Sequence, residues 1–253
     1  MRLTRCFSPE PLQAGSVITL PPIAAAHVMR VLRLRPGAAL TLFDGRGGQH
    51  PARLLGGGPA GVRVEVGERQ AVERESPVQL RLLQGLARGE RMDWIVQKAT
   101  ELGVAAIVPF HGEHSVVRLQ EPAASRRVAH WRAVAISACE QCGRNRLPAI
   151  AAIADLPTAL AAAPEPTPGR VDQLRLLLCP DARQSLPARL ASLPPSCTIS
   201  VLVGPEGGLS DSEQEAARRD GFQAVRLGPR VLRAETAPLA ALASIQALVG
   251  DFI

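Results

Sequence analysis

The chain has 253 residues, enough for one large domain or two smaller ones, and its 46% hydrophobic and 21% charged residues exclude a disordered polypeptide. The formal net charge is +6, and almost all of the positive charge is arginine because Lys98 is the only lysine. Arginine presents a planar fork of donors that suits phosphates and base edges, although a GC-rich genome also favours arginine over lysine. The charge is therefore only a modest indication of a nucleic-acid partner.

No targeting segment is visible in the sequence. Residues 1–11 lack the apolar core of a signal peptide, and the longest apolar run, 237–249, is too short to span a bilayer and contains Gln246. Five cysteines, an odd number without a secretory signal, indicate reduced thiols. We expect a cytoplasmic protein with no membrane partner.

Short β-like runs separated by glycine-rich turns fill roughly the first seventy residues. The predicted strands are 16–20, 38–43, 52–55 and 62–66, with a helical stretch at 23–34. Several short strands around one helix favour a small β-barrel. The charged stretch 70–77 ends in proline and is predicted to be the linker.

Beyond the linker, strands alternate with helices, which predicts an α/β domain with a mostly parallel sheet. The predicted strands are 78–86, 105–110, 174–178, 198–203 and 224–227, and the predicted helices include 91–102 and 125–142. The stretch 159–170 is rich in alanine and proline and is predicted to be a surface excursion.

A glycine-rich segment, GPEGG at 204–208, follows one of these strands directly. Ser210 and Glu213 then have the spacing of a capping box, so a helix should begin there. Loops between strand ends and helices are where open α/β sheets bind ligands. The spacing fits neither a P-loop nor a dinucleotide-binding fingerprint, and a tight turn without a ligand would explain it equally well.

A second loop, 227–237, follows another strand and leads into the last helix. That helix is apolar over most of its circumference, which suggests burial on more than one side. Two such loops at the same end of a sheet predict a composite pocket.

At this point the chain resembles the RsmE-type ribosomal RNA uracil-N3 methyltransferases of the SPOUT superfamily. The motifs that carry the resemblance are RCF at 5–7, HVMRVLR at 27–33, FDG at 43–45, QKATELGV at 97–104, EQCGR at 140–144, GPEGG at 204–208 and LRAETA at 232–237. The motifs occur in order and span essentially the whole chain. Two small departures, Cys142 and Ala234, leave the assignment intact.

The resemblance implies a PUA-like RNA-binding β-barrel at 1–72 and a SPOUT α/β domain with a trefoil knot at 73–253. It also implies a homodimer that methylates N3 of one uridine in 16S ribosomal RNA of the small subunit, with S-adenosylmethionine as cofactor. The knot loops hold that cofactor largely through main-chain groups. The implied cofactor-binding residues are Leu178, Cys179, Pro180, Gly204, Pro205, Glu206, Gly207, Gly208, Leu227, Gly228, Arg230, Val231, Leu232 and Arg233.

The N3 atom of uracil carries a proton, so the enzyme must remove it or stabilise the anion that remains. Arg144 and Arg233 are candidates for stabilising the anion. Glu206 and Glu235 could act as base or hold arginines in place. Glu235 could also cap the last helix, where the helix dipole favours a carboxylate, and the sequence favours capping. The sequence does not select a general base.

Other signals are weaker. Cys139 and Cys142 share a helical apolar stripe, which favours buried thiols over zinc or redox chemistry. His111 and His114 lack a third ligand, so we expect no metal. The arginines that could contact RNA are Arg5, Arg30, Arg33, Arg35 and Arg46; a solvated face explains 30, 33 and 35 equally well, and a hairpin turn explains 46.

Two alternatives remain open. A related knotted methyltransferase could act on transfer RNA or on another ribosomal RNA site. A ribosome-assembly factor could bind RNA without catalysis, although such a factor would not need two intact cofactor loops. A nicotinamide-dependent oxidoreductase is a remote third, because its glycine pattern is absent.

Overall fold

The computed structural model describes residues 4–59, 61–162, 172–194 and 196–252. The chain divides into two compact units: Met1–Glu75 with Ile136–Leu147, and Ser76–Ala135 with Pro148–Ile253. The segment 136–147, which the sequence placed in the second domain, thus groups with the first unit. The domain boundary after residue 72 stays a prediction.

A five-stranded sheet forms the first unit. Its strands are β1 (Thr4–Phe7), β2 (Val17–Thr19), β3 (Ala39–Phe43), β4 (His50–Gly58) and β5 (Gly61–Val66), in the order β1-β3-β4-β5-β2. The first pair is parallel and the others are antiparallel. Residues along β4 and β5 alternate between buried and exposed, as expected of a sheet with one face on a core. The expected small β domain is present, and its edge strand β1 was not predicted.

A short helix completes this unit and helps to enclose its core. Helix α1 (Pro22–Ala26) continues into a five-residue π-helix, His27–Val31, so the predicted helix at 23–34 is shorter and not uniformly α-helical. Val28 from this turn is fully buried with Leu40, Leu54 and Val64 from the sheet.

The second unit contains a seven-stranded sheet in which every described pairing is parallel, as the alternating pattern predicted. Its strands are β6 (Gln79–Gly85), β7 (Val104–His111), β8 (Ala149–Ile150), β9 (Ala154–Asp155), β10 (Gln173–Leu178), β11 (Thr198–Val203) and β12 (Gln223–Val225). The order is β12-β10-β11-β6-β7-β8, and β9 also pairs with β7.

Helices cover both faces of this sheet. They are α2 (Arg91–Glu101), α3 (Ala123–Cys142), α4 (Leu156–Ala161), α5 (Leu186–Leu190), α6 (Asp211–Arg219) and α7 (Thr236–Val249). One core packs α2, α5 and α7 against the sheet, and the other packs α4 and α6. Consecutive strand residues point to opposite cores, so Val201 belongs to the first and Leu202 to the second.

The prediction that residues 159–170 form a surface excursion is wrong for the first residues of this stretch. Ala159 and Leu160 lie in α4 and are buried in the second core, because this alanine-rich turn has apolar side chains on its inner face. Residues 163–170 of the predicted stretch lie outside the described residues. Among the described helices, none combines the length and the apolar character needed to cross a bilayer.

Gln246 is a buried polar residue in the largely apolar helix α7. Its side-chain amide donates to the carbonyl of Leu102 at 2.7 Å, and its amide oxygen accepts from the Ser76 hydroxyl at 2.8 Å. The end of α7 is therefore fastened to the turn that follows α2.

Replacing Gln246 with methionine should lower the free energy of unfolding by about 2 kcal/mol, because two buried polar groups lose their partner. Urea denaturation of Gln246→Met beside Gln120→Met, a change at an exposed glutamine, would measure this. Equal stability of the two variants would show that the buried amide contributes nothing.

Candidate functional site

A cavity of about 490 Å³ lies in the second unit, where the parallel neighbours β12, β10 and β11 end. The three loops that follow these strands form its wall. This size and this place at the carboxyl edge of a parallel sheet are typical of small-molecule sites.

The cavity gathers nearly all of the residues that the resemblance assigned to a cofactor. Those that line it are Leu178, Cys179, Pro180, Gly204, Pro205, Glu206, Gly208, Leu227, Gly228, Arg230, Val231, Leu232 and Arg233. The sequence did not predict the polar lining residues Arg91, Asp181, Gln214 and Arg226. Gly207 does not line the cavity, and a binding role for each of these residues stays a prediction.

The GPEGG loop is tight because its neighbours leave no room for side chains. A Cβ at Gly204 would lie 3.0 Å from the amide nitrogen of Leu209. A Cβ at Gly85, the last residue of β6, would collide with the main chain of Pro205. Gly208 has φ +73° and donates its amide to the Pro205 carbonyl at 2.9 Å. The loop therefore packs directly on the sheet edge.

Gly207 faces the loop after β7 instead of the cavity. A Cβ there would lie 2.7 Å from the Cβ of His114, and the His114 Nδ1 lies 3.1 Å from the Gly207 carbonyl oxygen. Packing against His114 therefore requires glycine at position 207. His114, left open by the sequence, contacts the loop that forms the cavity wall.

The predicted capping box is confirmed at the start of α6. The Glu213 amide donates to the Ser210 hydroxyl, and the Glu213 carboxylate accepts from the Ser210 amide at 2.9 Å. The same carboxylate accepts from the main-chain amide of Glu113 at 2.8 Å. The capping glutamate thereby fixes the helix and a neighbouring loop together.

The loop 227–233 presents main-chain groups to the cavity. Gly228 has φ +134°, a conformation that favours glycine. Within the described part of the chain, the amides of Gly228, Val231 and Leu232 make no main-chain hydrogen bond. They are available to a ligand that offers acceptors.

A network of four charged side chains connects the walls of the cavity. The guanidinium of Arg91 lies 2.7 Å from a carboxylate oxygen of Glu206 and 3.7 Å from one of Glu235. Glu235 also lies 4.0 Å from Arg233, whose side chain is 79% exposed. Glu235 occupies the N-cap position of α7, but its side chain makes no capping hydrogen bond. The carboxylate thus stands at the helix N-terminus, where the dipole favours it as expected, and it lies beside two arginines without a hydrogen bond to the helix amides.

The pKa of Glu206 lies below its ordinary value. Partial burial raises this pKa, but hydrogen bonds from the main-chain amides of Arg88 and Glu206 and from the Arg91 guanidinium outweigh it. The carboxylate is therefore ionised at neutral pH and is a weak proton acceptor there, which argues against its use as general base.

Arg144, the second candidate for anion stabilisation, lies in the first unit, whereas the cavity lies in the second. Its side chain is 4% exposed and is bonded to the Glu75 carboxylate at 2.6 Å. The neighbouring Asn145 accepts from Arg5 at 2.6 Å and donates to the Val72 carbonyl. These contacts fasten the segment 136–147 within its unit.

The arginines predicted to contact RNA fall into two groups, all in the first unit. Arg5 is half-buried, bonds Gln49, and lies 4.8 Å over the ring of Phe43. Its guanidinium is thus used within the fold. The others, Arg30, Arg33, Arg35 and Arg46, are exposed. Arg33 has φ +49°, unusual for a residue other than glycine, directly after the π-helix.

The cysteine pair lies in the last turns of α3, within the first unit, with Cys139 buried and Cys142 partly buried. Cys139 is fully buried, and its hydrogen bond with Cys142, together with burial, raises the pKa of its thiol. A protonated, buried thiol is inert, which agrees with the structural interpretation of this pair. Among the described residues, no three side chains of histidine, cysteine, aspartate or glutamate cluster as a metal site would require.

Comparisons with known proteins agree with this geometry. A family model described as an RNA methyltransferase domain matches residues 74–246, and one described as an RNA methyltransferase PUA domain matches residues 24–66. The chain is 30% identical to the ribosomal RNA small subunit methyltransferase E of Bacillus subtilis over 87% of this chain and 85% of the relative. The corresponding relative from Synechocystis is 33% identical over 92% of this chain and 74% of its own.

Solved structures are similar over the whole chain. The ribosomal RNA small subunit methyltransferase E from Neisseria gonorrhoeae bound to S-adenosyl methionine is 38% identical, with a TM-score of 0.86 and both chains fully covered. A proposed methyltransferase from Legionella pneumophila in complex with the cofactor SAM is 35% identical, also with full coverage of both chains, and has a TM-score of 0.90. The expected fold class, an α/β domain with a mostly parallel sheet after a PUA-like domain, is confirmed. The SPOUT superfamily and its trefoil knot stay predictions.

The lowered pKa of Glu206 has a consequence for stability. A carboxylate whose pKa is lowered by folding stabilises the protein above its ordinary pKa of 4.5, and this contribution is lost as the pH falls through the lowered value. Glu206→Gln should therefore unfold at a lower temperature than the wild type at pH 7, and the difference should shrink below pH 4.5.

Thermal unfolding from pH 7 to pH 3 would test this, with the exposed Glu215→Gln as control. A difference that persists undiminished in acid would contradict the assignment of these hydrogen bonds to the ionised carboxylate.

Proposed function

Because the chain belongs to the family of ribosomal RNA small subunit methyltransferases E, we propose that it methylates N3 of one uridine in 16S ribosomal RNA, with S-adenosylmethionine as methyl donor. The observation that carries this proposal is the three-loop cavity at the ends of β10, β11 and β12. Relatives similar over the whole chain bind S-adenosylmethionine.

The residues around the cavity fit this cofactor. Leu178, Leu209 and Leu227 supply apolar wall for a flat base. The amides of Gly228, Val231 and Leu232, which make no main-chain hydrogen bond within the described residues, suit its polar edges, and glycines at 204 and 208 let the main chain approach closely. When bound, S-adenosylmethionine supplies a methyl group on a positively charged sulfur.

This chain's own contribution to the chemistry is to hold charge where the uracil anion develops. Arg233 is exposed at the cavity wall, 4.0 Å from a carboxylate oxygen of Glu235. A guanidinium there would stabilise the negative charge left when the N3 proton departs. Glu206 is disfavoured as base by its low pKa, so solvent is the simplest acceptor for the proton. The buried ion pair of Arg144 supports a structural role for that residue.

We also propose that the exposed arginines near the π-helix, Arg30, Arg33 and Arg35, contact RNA phosphates. Their unit matches the RNA methyltransferase PUA domain model, which supports this role. The enzyme is further proposed to be a homodimer. Exposed apolar side chains of the second unit, Trp94, Val231 and Leu248, would be available to a second copy.

The test is methyl transfer from labelled S-adenosylmethionine to small ribosomal subunits that lack the modification, followed by nucleoside mapping. We expect N3-methyluridine at a single 16S position. Arg233→Ala should lower kcat by about 100-fold, because one stabilising donor is lost. Arg219→Ala, at an exposed arginine on α6, should retain full activity.

Other outcomes would redirect the assignment. Product on transfer RNA or at another ribosomal RNA site would keep the chemistry and change the substrate. Absence of S-adenosylmethionine binding by the purified protein would favour a factor that binds RNA without catalysis.

A further inference from the structure

We propose that Arg91 is a positioning residue of the cofactor cavity, which holds the GPEGG loop and the start of α7 at a fixed separation through Glu206 and Glu235. This inference rests on the proposed function for the identity of the cofactor. It concerns a residue that none of the sequence motifs singled out.

The contacts place one guanidinium between two walls. Arg91 is the first residue of α2 and lines the cavity itself. Its Nη1 donates to Glu206, in the loop after β11, at 2.7 Å. Its Nε faces Glu235, at the end of the loop after β12, at 3.7 Å. Three elements that are distant in sequence therefore meet at a single side chain.

Both carboxylates are largely shielded from solvent, but they are held differently: Glu206 accepts hydrogen bonds, whereas the Oε2 of Glu235 makes none within the described residues and contacts Arg91 only as an ion pair. The side chains of Glu206 and Glu235 are 22% and 18% exposed, so solvent screens them less than it screens an open surface pair. Glu206 also accepts from the main-chain amide of Arg88, just before α2. The GPEGG loop is thus bonded twice to the start of α2.

The position of Arg91 is unfavourable in isolation. The first turn of a helix carries a partial positive charge and prefers acidic residues, so the helix dipole disfavours a guanidinium at its first position. Carboxylates from two other loops supply the compensation. A residue that breaks a local rule and is compensated by distant groups is typical of a functional site.

A cavity whose walls are fixed in advance binds its ligand without first ordering them. Arg91 acts on the loops and not on the reacting atoms, so its loss should weaken cofactor binding more than it slows methyl transfer at saturation. A planar fork can serve two carboxylates at once, whereas a lysine ammonium is a single point charge.

The experiment combines calorimetric titration of the full-length protein with S-adenosylmethionine and steady-state kinetics on small subunits. Arg91→Met should raise both the Kd and the KM for S-adenosylmethionine by about tenfold, because a charge-assisted hydrogen bond is lost. The kcat at saturating cofactor should stay within about threefold of the wild type. Arg91→Lys should restore part of the affinity.

Coupling between the residues supplies the decisive readout. In a background of Glu206→Gln with Glu235→Gln, adding Arg91→Met should change the Kd by less than about twofold, since its partners are already neutral. Arg219→Met is the matched control, an exposed arginine in the same unit, and should bind the cofactor as the wild type does. Thermal unfolding of every variant checks that it is folded.

Several results would overturn the proposal. One is an unchanged Kd in Arg91→Met, and another is a loss of kcat without a change in Kd. The third is a rise in Kd of about tenfold when Arg91→Met is added to Glu206→Gln with Glu235→Gln. If Arg91→Met does not fold, Arg91→Lys and Glu206→Gln decide the question, and wild-type affinity in both overturns it. If the wild type binds S-adenosylmethionine but leaves 16S RNA unmethylated, the proposed function fails while the titrations still test Arg91.

Discussion

The parallel alignment of three adjacent strands is the constraint on which the cavity depends. In the registers of β12, β10 and β11, Leu178 stands beside Val225 and Leu177 beside Leu202, so the strands end at one edge. Whatever follows each strand must then emerge at the same place. Loops from separate parts of the chain are therefore brought together by main-chain pairing alone, before any side chain contributes. Apolar helices on both faces keep the sheet in this arrangement.

Charge is distributed around this edge in opposed pairs. Each carboxylate of the network has an arginine partner: Glu206 pairs with Arg91, and Glu235 lies between Arg91 and Arg233. The pairs differ in exposure, since Arg233 is largely in solvent while the two glutamates are mostly covered. The two glutamates, which are mostly covered, suit a role in holding the cavity walls in place. The exposed arginine suits contact with a substrate that arrives from outside.

Elements with a strong internal pattern were predictable from the sequence, and elements defined by distant partners were not. Helix α2, strand β11 and the capping box at Ser210 follow from periodicity and spacing. The edge strand β1 and the short helices α4 and α5 have too few residues to show a period. Arg91 and Glu206 bond across 115 positions, which leaves no local trace. The grouping of 136–147 with the first unit was equally hidden, because this segment includes the end of the continuous helix α3.

The close approach of Gly85 to Pro205 also bears on how the sheet finds its alignment. One face of β11 carries Ile199, Val201 and Val203, whereas the other carries Ser200 beside Leu202, so a slip by one residue would turn a hydroxyl toward the first core. Hydrophobicity therefore disfavours a slip by one residue, but a slip by two residues would return the strand's side chains to the same faces. A displaced β11 would instead press Pro205 against a residue larger than glycine at the end of β6. Steric contact between Gly85 and the loop that forms the cavity wall thus favours the observed register of the central strands.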